Sequence, residues 1–150
     1  METIVAKKFK WEAAHRLSWH EGLCRNLHGH SYHMTVEMTG IPDERGFLID
    51  FQEIKRLLAP LVEQWDHGIF VAHSDSQLLD VVHQTGWKHF VLPFDSTTEN
   101  VCQYVSEYLL SKHLDTLQKH QIAKISINIA ETETCYATVS VVVSDKTQQS

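Results

Sequence analysis

The strict alternation of side chains over residues 28–39 limits the fold more than any other feature of the sequence. One face of this segment carries apolar and aromatic residues together with two histidines, namely His28, His30, Tyr32, Met34, Val36 and Met38. The other face is polar and comprises His33, Thr35, Glu37 and Thr39. A period of two residues is that of a half-buried β-strand. Residues 4–15 show the same period, so the sequence predicts two strands joined by a loop over residues 16–27.

A helix is predicted next, because apolar residues recur at steps of three and four after Asp50. They are Ile54, Leu57, Leu58, Leu61, Val62 and Trp65. Asp50 is the predicted N-cap, with Glu53 as its capping-box partner. Pro60 removes one helical hydrogen bond, so we expect a kink or an early stop there. The apolar run before the helix, residues 47–49, could form a short strand.

A second long helix and two closing strands are predicted in the rest of the chain. Residues 96–99, Ser-Thr-Thr-Glu, form another capping-box pattern, and apolar residues follow at helical spacing over 101–109. Apolar residues then alternate over 125–129 and 139–143, which predicts a hairpin with its turn over 131–134.

Residues 74–95, between the two long helices, are expected to form a short helix over 78–86 and a short strand over 89–92. The last residues, 146–150, are expected to be frayed. This order of elements predicts one α+β domain over residues 1–150, an antiparallel sheet with two helices packed on one face.

Composition and charge exclude several classes of protein. The 150 residues are 43% hydrophobic and 21% charged with a net charge of −6, which is ordinary for a globular domain and leaves no basic surface for a nucleic-acid partner. The apolar runs are far shorter than the ~20 residues of a membrane span, so no membrane partner is expected. The N-terminus lacks an apolar signal segment, and the widely spaced cysteines favour reduced thiols. We therefore expect a cytoplasmic protein.

Three histidines are expected to meet at one end of the two predicted strands. His28 and His30 point to the same side of one strand, and His15 ends the apolar face of the other. If the strands pair antiparallel, three imidazoles converge, which suits Zn²⁺ with a fourth position left open. The alternative is that His28 and His30 are polar strand residues without a ligand.

Cys24 lies in the loop four residues before His28 and is expected near this site. A thiol beside Zn²⁺ or Arg25 would have a lowered pKa and could act as a proton-transfer base. Alternatively, Cys24 is a fourth zinc ligand, which would make the site structural and closed.

Two further acidic groups are candidates for the chemistry. The adjacent Asp66 and His67 could form a proton relay, or could be an ordinary pair at a helix end. Glu131 continues the inward face of the strand over 125–129, so it either ends a row of core residues or is solvated beyond it. A carboxylate facing inward needs a strong partner, such as a ligand that carries a pair of N–H donors.

These residues occur in an order that resembles the 6-pyruvoyl-tetrahydropterin synthases and their relatives. The resemblance spans residues 4–143. Its motifs are Phe9-x-x-x-Ala13-Ala14-His15-Arg16-Leu17, Cys24-x-x-x-His28-Gly29-His30, Leu48-Ile49-Asp50-Phe51, Asp66-His67, Ser96-Thr97-Thr98-Glu99-Asn100 and Glu131-Thr132. The three-residue gap between Cys24 and His28 resembles the 6-carboxy-5,6,7,8-tetrahydropterin synthase branch, the queuosine-pathway enzymes.

The resemblance implies a tunnelling fold (T-fold), in which subunits assemble as rings of antiparallel strands, usually a homohexamer of two trimers. Sites in such assemblies lie between subunits, so a neighbouring chain would supply some groups. The resemblance also implies that zinc is bound by His15, His28 and His30.

The remaining site residues follow from the same resemblance. Cys24 matches the catalytic proton acceptor, and Asp66 with His67 matches the relay. Glu131 matches the anchor that holds the pterin. The other residues expected near the substrate are Thr97, Thr98, Glu99 and Thr132.

The implied activity is that of a zinc-dependent lyase that converts 7,8-dihydroneopterin triphosphate to 6-carboxy-5,6,7,8-tetrahydropterin, acetaldehyde and triphosphate. The alternatives are a 6-pyruvoyl-tetrahydropterin synthase, a non-catalytic pterin-binding relative and a structural zinc domain. Residues 96–100 are closer to the pyruvoyl branch, and residues 68–71 depart from the Leu-Asn pair often found after Asp-His. Residues 74–95 are an extra segment, expected at the pocket rim or at a subunit contact.

Overall fold

The computed structural model describes residues 1–144 and shows a six-stranded sheet with helices packed on one face. The strands are β1 (Thr3–His15), β2 (His28–Gly40), β3 (Gly68–Ala72), β4 (His89–Leu92), β5 (Ile122–Ala130) and β6 (Tyr136–Val142). The helices are α1 (Phe51–Trp65), α2 (Ser76–Thr85), α3 (Thr98–Lys112) and α4 (Leu114–Lys119). Strands lie across the sheet in the order β4-β3-β1-β2-β5-β6. The residues expected to be frayed, 146–150, lie outside the described part of the chain.

The two long N-terminal strands pair antiparallel over their whole length, as their alternation predicts. Trp11 lies opposite Tyr32, and both side chains are buried under the helices. Their rings stack with centroids 5.3 Å apart and planes inclined by 9°. Each such aromatic residue contributes about 1.5–3 kcal/mol by leaving water, and stacking adds about 0.5–1.5 kcal/mol. This pairing fixes the register, and it brings His15 opposite His28.

The sheet is mixed, so the prediction of a wholly antiparallel sheet was wrong at one edge. Strands β1, β2, β5 and β6 form the antiparallel part, whereas β3 pairs parallel with both β1 and β4. A helix connects β3 to β4, and this crossover connection makes two neighbouring strands run the same way. Strand β3 was not predicted, because all five of its residues are buried and its sequence does not alternate between apolar and polar residues. Residues 47–49 do not form a strand.

The helix α1 begins at its predicted cap, whereas α3 begins one residue later than its capping pattern predicts, with Thr97 rather than Ser96 as the N-cap. The Asp50 side chain accepts a hydrogen bond from the Gln52 amide at 2.8 Å at the start of α1, and Thr97 accepts one from the Asn100 amide at 3.2 Å at the start of α3. The early stop at Pro60 was wrong, since α1 continues to Trp65. Pro60 lies on the exposed side of the helix, where the carbonyl it leaves without a partner can bind water.

The segment 74–95 contains the short helix and strand predicted for it, α2 and β4. The helix α4 was missed, because six residues are too few to show a helical period. Within the described residues, every helix is too short or too polar to span a lipid bilayer.

We predict that Asp50→Ala lowers the free energy of unfolding by about 1 kcal/mol, because it removes the cap of α1. Asp50→Asn should cost much less, since an amide oxygen can accept the same hydrogen bond. Urea denaturation followed by circular dichroism measures both values. Equal losses for the two variants would contradict the assigned cap.

Candidate metal centre

Three imidazoles meet at the end of the β1–β2 pair. His15 lies opposite His28, and His30 lies one position further along the same face, opposite Ala13. The ring centroid of His15 lies 4.7 Å from that of His28 and 5.2 Å from that of His30. The centroids of His28 and His30 lie 4.8 Å apart. One ligand atom from each residue lies within 4.8 Å of the other two. The geometry that the strands predict is therefore present.

Hydrogen bonds to backbone carbonyls orient two of these rings. The Nδ1 atom of His15 lies 2.8 Å from the Ser96 carbonyl oxygen, and that of His28 lies 2.7 Å from the Asn26 carbonyl oxygen. A carbonyl can only accept, so each Nδ1 carries the proton and each Nε2 is left with a lone pair. This is the arrangement by which proteins prepare histidines for a metal.

The third ring supplies a test of whether a metal fits. The Nε2 atom of His30 is buried and has no hydrogen-bond partner in the described structure. A buried polar atom without a partner is costly, and a metal would satisfy this one. Three imidazole nitrogens with an open fourth position match the donors of a catalytic zinc site. The residues present therefore fit the ion.

Burial favours the neutral, metal-binding state of His15 and His30. It lowers the pKa of His15 and of His30, because the charged imidazolium loses its hydration. The Glu131 carboxylate opposes this effect on the pKa of both rings without reversing it. Metal binding requires neutral imidazole, so the site needs little proton release when it is filled.

Glu131 faces inward beside the histidines. Its two carboxylate oxygens lie 3.8 Å from Nε2 of His15 and 3.8 Å from Nε2 of His30, and its side chain is 26% exposed. The Glu131 amide donates to the Cys135 carbonyl at 3.1 Å, which fixes the turn that follows β5. Thr132 and Glu131 line a cavity of about 490 Å³ whose walls also include Ser31 and His33, on the other face of β2 from His28 and His30. Of the two alternatives for Glu131, the distances to His15 and His30 favour the one in which its carboxylate faces inward.

Tyr32 is a neighbour of this site that the sequence placed only in the core. Its ring lies 5.5 Å from that of His30, edge on, and its hydroxyl is buried without a partner in the described structure. Burial raises the pKa of Tyr32, and the charge of Glu131 raises it further. The hydroxyl therefore stays protonated at physiological pH. Its position on the buried face was predictable from the alternation, but the missing partner was not.

Asp66 and His67 form the pair that their sequence suggests. The Asp66 carboxylate lies 3.0 Å from Nδ1 of His67, and its other oxygen accepts the Glu12 amide at 2.9 Å. His67 has a positive φ of 60°, and its amide donates to the Glu12 carbonyl at 2.6 Å. The Glu12 amide, followed by His67, lowers the pKa of Asp66, so this carboxylate is ionised at physiological pH.

This pair does not reach the three histidines within one chain. His67 lines a cavity of about 380 Å³ with Glu12, Ala14 and Ser31. In strands β1 and β2, these residues alternate with the histidines and point to the opposite face of the sheet. The side chains of Glu12 and Ser31 thus lie on the face opposite the histidines, although His30 also lines the cavity beside His67.

Cys24 is also separate from the histidines. It lies in a 3₁₀ turn, Leu23–Arg25, where its carbonyl accepts the Leu17 amide at 2.8 Å and its thiol is partly exposed. The group of atoms that could hold a metal consists of His15, His28 and His30 and does not include this thiol. A closed four-ligand site is therefore not what the described residues form.

The start of α3 contains one residue whose role at the site the sequence did not predict, and the three residues that were expected near the substrate. Ser96 was read only as part of a capping pattern, yet its carbonyl orients His15. No local signal could show this, because the two residues are far apart in sequence. Thr97 caps the helix, Thr98 is buried in its first turn and Glu99 is exposed. Their contact with a substrate stays a prediction.

Fold and site together define an α+β protein with an open, three-histidine candidate metal centre. Residues 4–141 match the family described as 6-pyruvoyl tetrahydropterin synthase. The chain belongs to this family.

Named relatives agree with that assignment. The 6-carboxy-5,6,7,8-tetrahydropterin synthase of Haemophilus influenzae is 29% identical over 140 residues, which cover 88% of this chain and 94% of the relative. A probable enzyme of the same name from Halobacterium salinarum is 30% identical over 122 residues, covering 80% and 75%. The crystal structure of the Plasmodium vivax 6-pyruvoyl tetrahydropterin synthase superposes with a TM-score of 0.77 at 17% identity and covers 95% of this chain and 99% of that one. At this identity the superposition shows the shared fold.

We predict that the protein binds zinc through the three histidines and that His30→Ala weakens binding more than 100-fold. Loss of a group that only supports a ligand costs about 10- to 100-fold, and loss of a ligand should cost more. His33→Ala is the matched control, because His33 lies on the same strand with its side chain on the other face. Competition with a zinc chelator measures both affinities. Equal affinities would refute the assigned ligands.

Proposed function

We propose that this protein is a zinc-dependent lyase that converts 7,8-dihydroneopterin triphosphate to 6-carboxy-5,6,7,8-tetrahydropterin, acetaldehyde and triphosphate, a step of queuosine biosynthesis. The observation that carries the proposal is the convergence of three imidazoles beside an inward-facing carboxylate. The names of the relatives from Haemophilus influenzae and Halobacterium salinarum support the same product.

Zinc held by His15, His28 and His30 would supply a Lewis acid that lowers the pKa of the substrate's side-chain hydroxyls and polarises the carbonyl that forms. The role of the chain is to hold the three rings in one tautomer. The carbonyls of Ser96 and Asn26 do this for two of them. The lower pKa that burial gives to His15 keeps that ring neutral while the site is empty.

Glu131 anchors the pterin in this mechanism. An aminopyrimidinone presents two adjacent N–H donors, and a carboxylate accepts both at once. The Glu131 side chain lies next to the histidines, so a ring bound to it would extend its side chain towards them. The first turn of α3, with Thr97, Thr98 and Glu99, adds polar groups near His15 through Ser96.

Proton transfer is assigned to Cys24 and to the Asp66–His67 pair. The ionised Asp66 orients His67 through Nδ1, which leaves Nε2 of the ring to exchange protons. In this proposal, Cys24 takes a proton from the substrate side chain. In the carboxy branch, the triphosphate leaves, one water adds its oxygen to the carbon that becomes the carboxylate, and a retro-aldol-like cleavage then releases acetaldehyde.

A second copy of the chain completes the site in this proposal. Cys24 belongs to the loop that joins the two strands bearing the histidines, whereas His67 lines the cavity with Glu12 and Ser31. A homo-oligomer, proposed as a hexamer of two trimers, lets one chain offer its histidines and Cys24 to the Asp66–His67 pair of another.

The alternative function within the family is that of a 6-pyruvoyl-tetrahydropterin synthase. The family description and residues 96–100 favour it, whereas the short spacing of Cys24 and His28 favours the carboxy product. Both reactions use the same histidines, so geometry alone does not separate them.

We predict that the zinc-loaded protein forms 6-carboxy-5,6,7,8-tetrahydropterin and acetaldehyde from 7,8-dihydroneopterin triphosphate. Mass spectrometry of the products measures this directly. A pyruvoyl product would replace the main proposal with the alternative. Unchanged substrate from folded, zinc-bound protein would point to a pterin-binding relative without activity.

We further predict that Cys24→Ala and His67→Ala each lower kcat at least 100-fold, the scale of general acid–base catalysis, while zinc stays bound. A refolded equal mixture of the two variants should regain activity at about one quarter of its sites, since a site between chains can combine an intact Cys24 with an intact His67.

The double variant Cys24→Ala/His67→Ala, refolded in the same way, is the control for this mixing experiment. Native mass spectrometry shows whether mixed assemblies form. Mixed assemblies without activity would contradict a site shared between chains. Full activity of Cys24→Ala would remove that residue from the mechanism.

A further inference from the structure

Both ends of the segment between β3 and α3 are attached to Arg16, the residue that follows β1, and the second end also contacts His15. At its start, Asp75 binds the Arg16 side chain. At its end, the Ser96 carbonyl binds His15, and the Ser96 hydroxyl donates to the Arg16 carbonyl at 3.4 Å. The attachment point therefore includes a candidate metal ligand and the residue next to it.

The contact between Arg16 and Asp75 is a two-pronged ion pair. Nε of Arg16 donates to one carboxylate oxygen at 2.7 Å, and an Nη atom donates to the other at 2.6 Å. The Asp75 side chain is only 5% exposed, and that of Arg16 is 21% exposed. Pairs of this geometry and burial are stronger and more directional than surface ion pairs. The guanidinium group also lowers the pKa of Asp75, which keeps the carboxylate charged.

Asp75 is also the N-cap of α2. Its Oδ1 accepts the Leu78 amide at 3.2 Å, at the end of the helix where a negative charge is favourable. The helix α2 is thereby fixed to the Arg16 side chain. The Arg16 Nη atom also donates to Gln77 at 3.2 Å, in the first turn of the same helix.

His15 needs such a support because it lies at the last position of its strand. The β1–β2 pairing ends with His15 opposite His28, and β3 pairs with β1 only at Ala13 and Ala14. Beyond His15 the sheet no longer determines the path of the chain. The side chain of Arg16 is the next group along the chain with a rigid, buried partner.

We infer that Arg16 and Asp75 are positioning residues that hold His15 in the geometry required of a metal ligand. They act through the backbone of Arg16 and through the α2 segment, and neither would contact the ion. The inference rests on the proposed metal site, and it assigns the 74–95 segment a role in supporting that site.

The test is the zinc affinity and the Co²⁺ spectrum of Asp75→Asn. Asparagine can still cap α2, but it removes the charge and the two-pronged acceptor for Arg16. We expect zinc binding about 10- to 100-fold weaker than in the wild-type protein. We also expect a change in the intensity of the visible Co²⁺ bands, which report the ligand geometry. Arg16→Lys keeps the positive charge but cannot donate to both oxygens of Asp75 at once. Its zinc affinity should therefore lie between those of the wild type and Asp75→Asn.

Glu53→Gln is the matched control, since Glu53 accepts two hydrogen bonds from Arg56 on α1, far along the chain from the histidines. It should keep wild-type affinity and spectrum. If Asp75→Asn fails to fold, Arg16→Lys decides alone. The inference would be overturned if the folded Asp75→Asn variant kept the zinc affinity and Co²⁺ spectrum of the wild type. The same result for Arg16→Lys would overturn it if that variant has to decide alone. Either result would leave the proposed function intact. A wild-type protein that binds no zinc would overturn both.

Discussion

The antiparallel pairing of β1 with β2 is the interaction on which the rest of the structure depends. It stacks Trp11 on Tyr32 at the centre of the core, and the same register brings His15 opposite His28 at the end of the ribbon. A shift of one residue would turn every apolar side chain of a strand to the outer face. The hydrophobic core therefore enforces the register that the histidines need, and the candidate site requires no separate folding signal.

The inner face of the ribbon changes from apolar to polar within a few residues. Tyr32 contacts the ring of His30, and beyond it lie the histidines and the Glu131 carboxylate. Because this end of the ribbon adjoins the core, both His15 and Tyr32 are buried. Burial lowers the pKa of His15 and raises that of Tyr32. Both shifts have the same origin, since a buried environment favours the neutral form of an acid and of a base. The chemistry of the site is thus a consequence of its place beside the core.

Residues that obey a short period were predictable, and residues defined by distant contacts were not. The alternation of β1 and β2 predicted the meeting of three histidines, whereas the alternation of β5 left Glu131 either facing inward or solvated. The strand β3 was missed because burial on both faces removes alternation. Ser96 and Asp75 were missed as partners of His15 and Arg16, because those contacts join residues 81 and 59 positions apart. That His67 lies beside Glu12 and Ser31 also depends on three-dimensional packing alone.

The three histidines belong to strands that are held together by aromatic stacking and backbone pairing rather than by an ion. We expect a chain of this kind to keep its shape without the proposed metal, unlike a zinc finger, whose fold depends on the ion. Metal can then be exchanged on a finished scaffold. With zinc as the proposed metal, the supply of zinc around the protein would then limit how many copies are competent at a given moment.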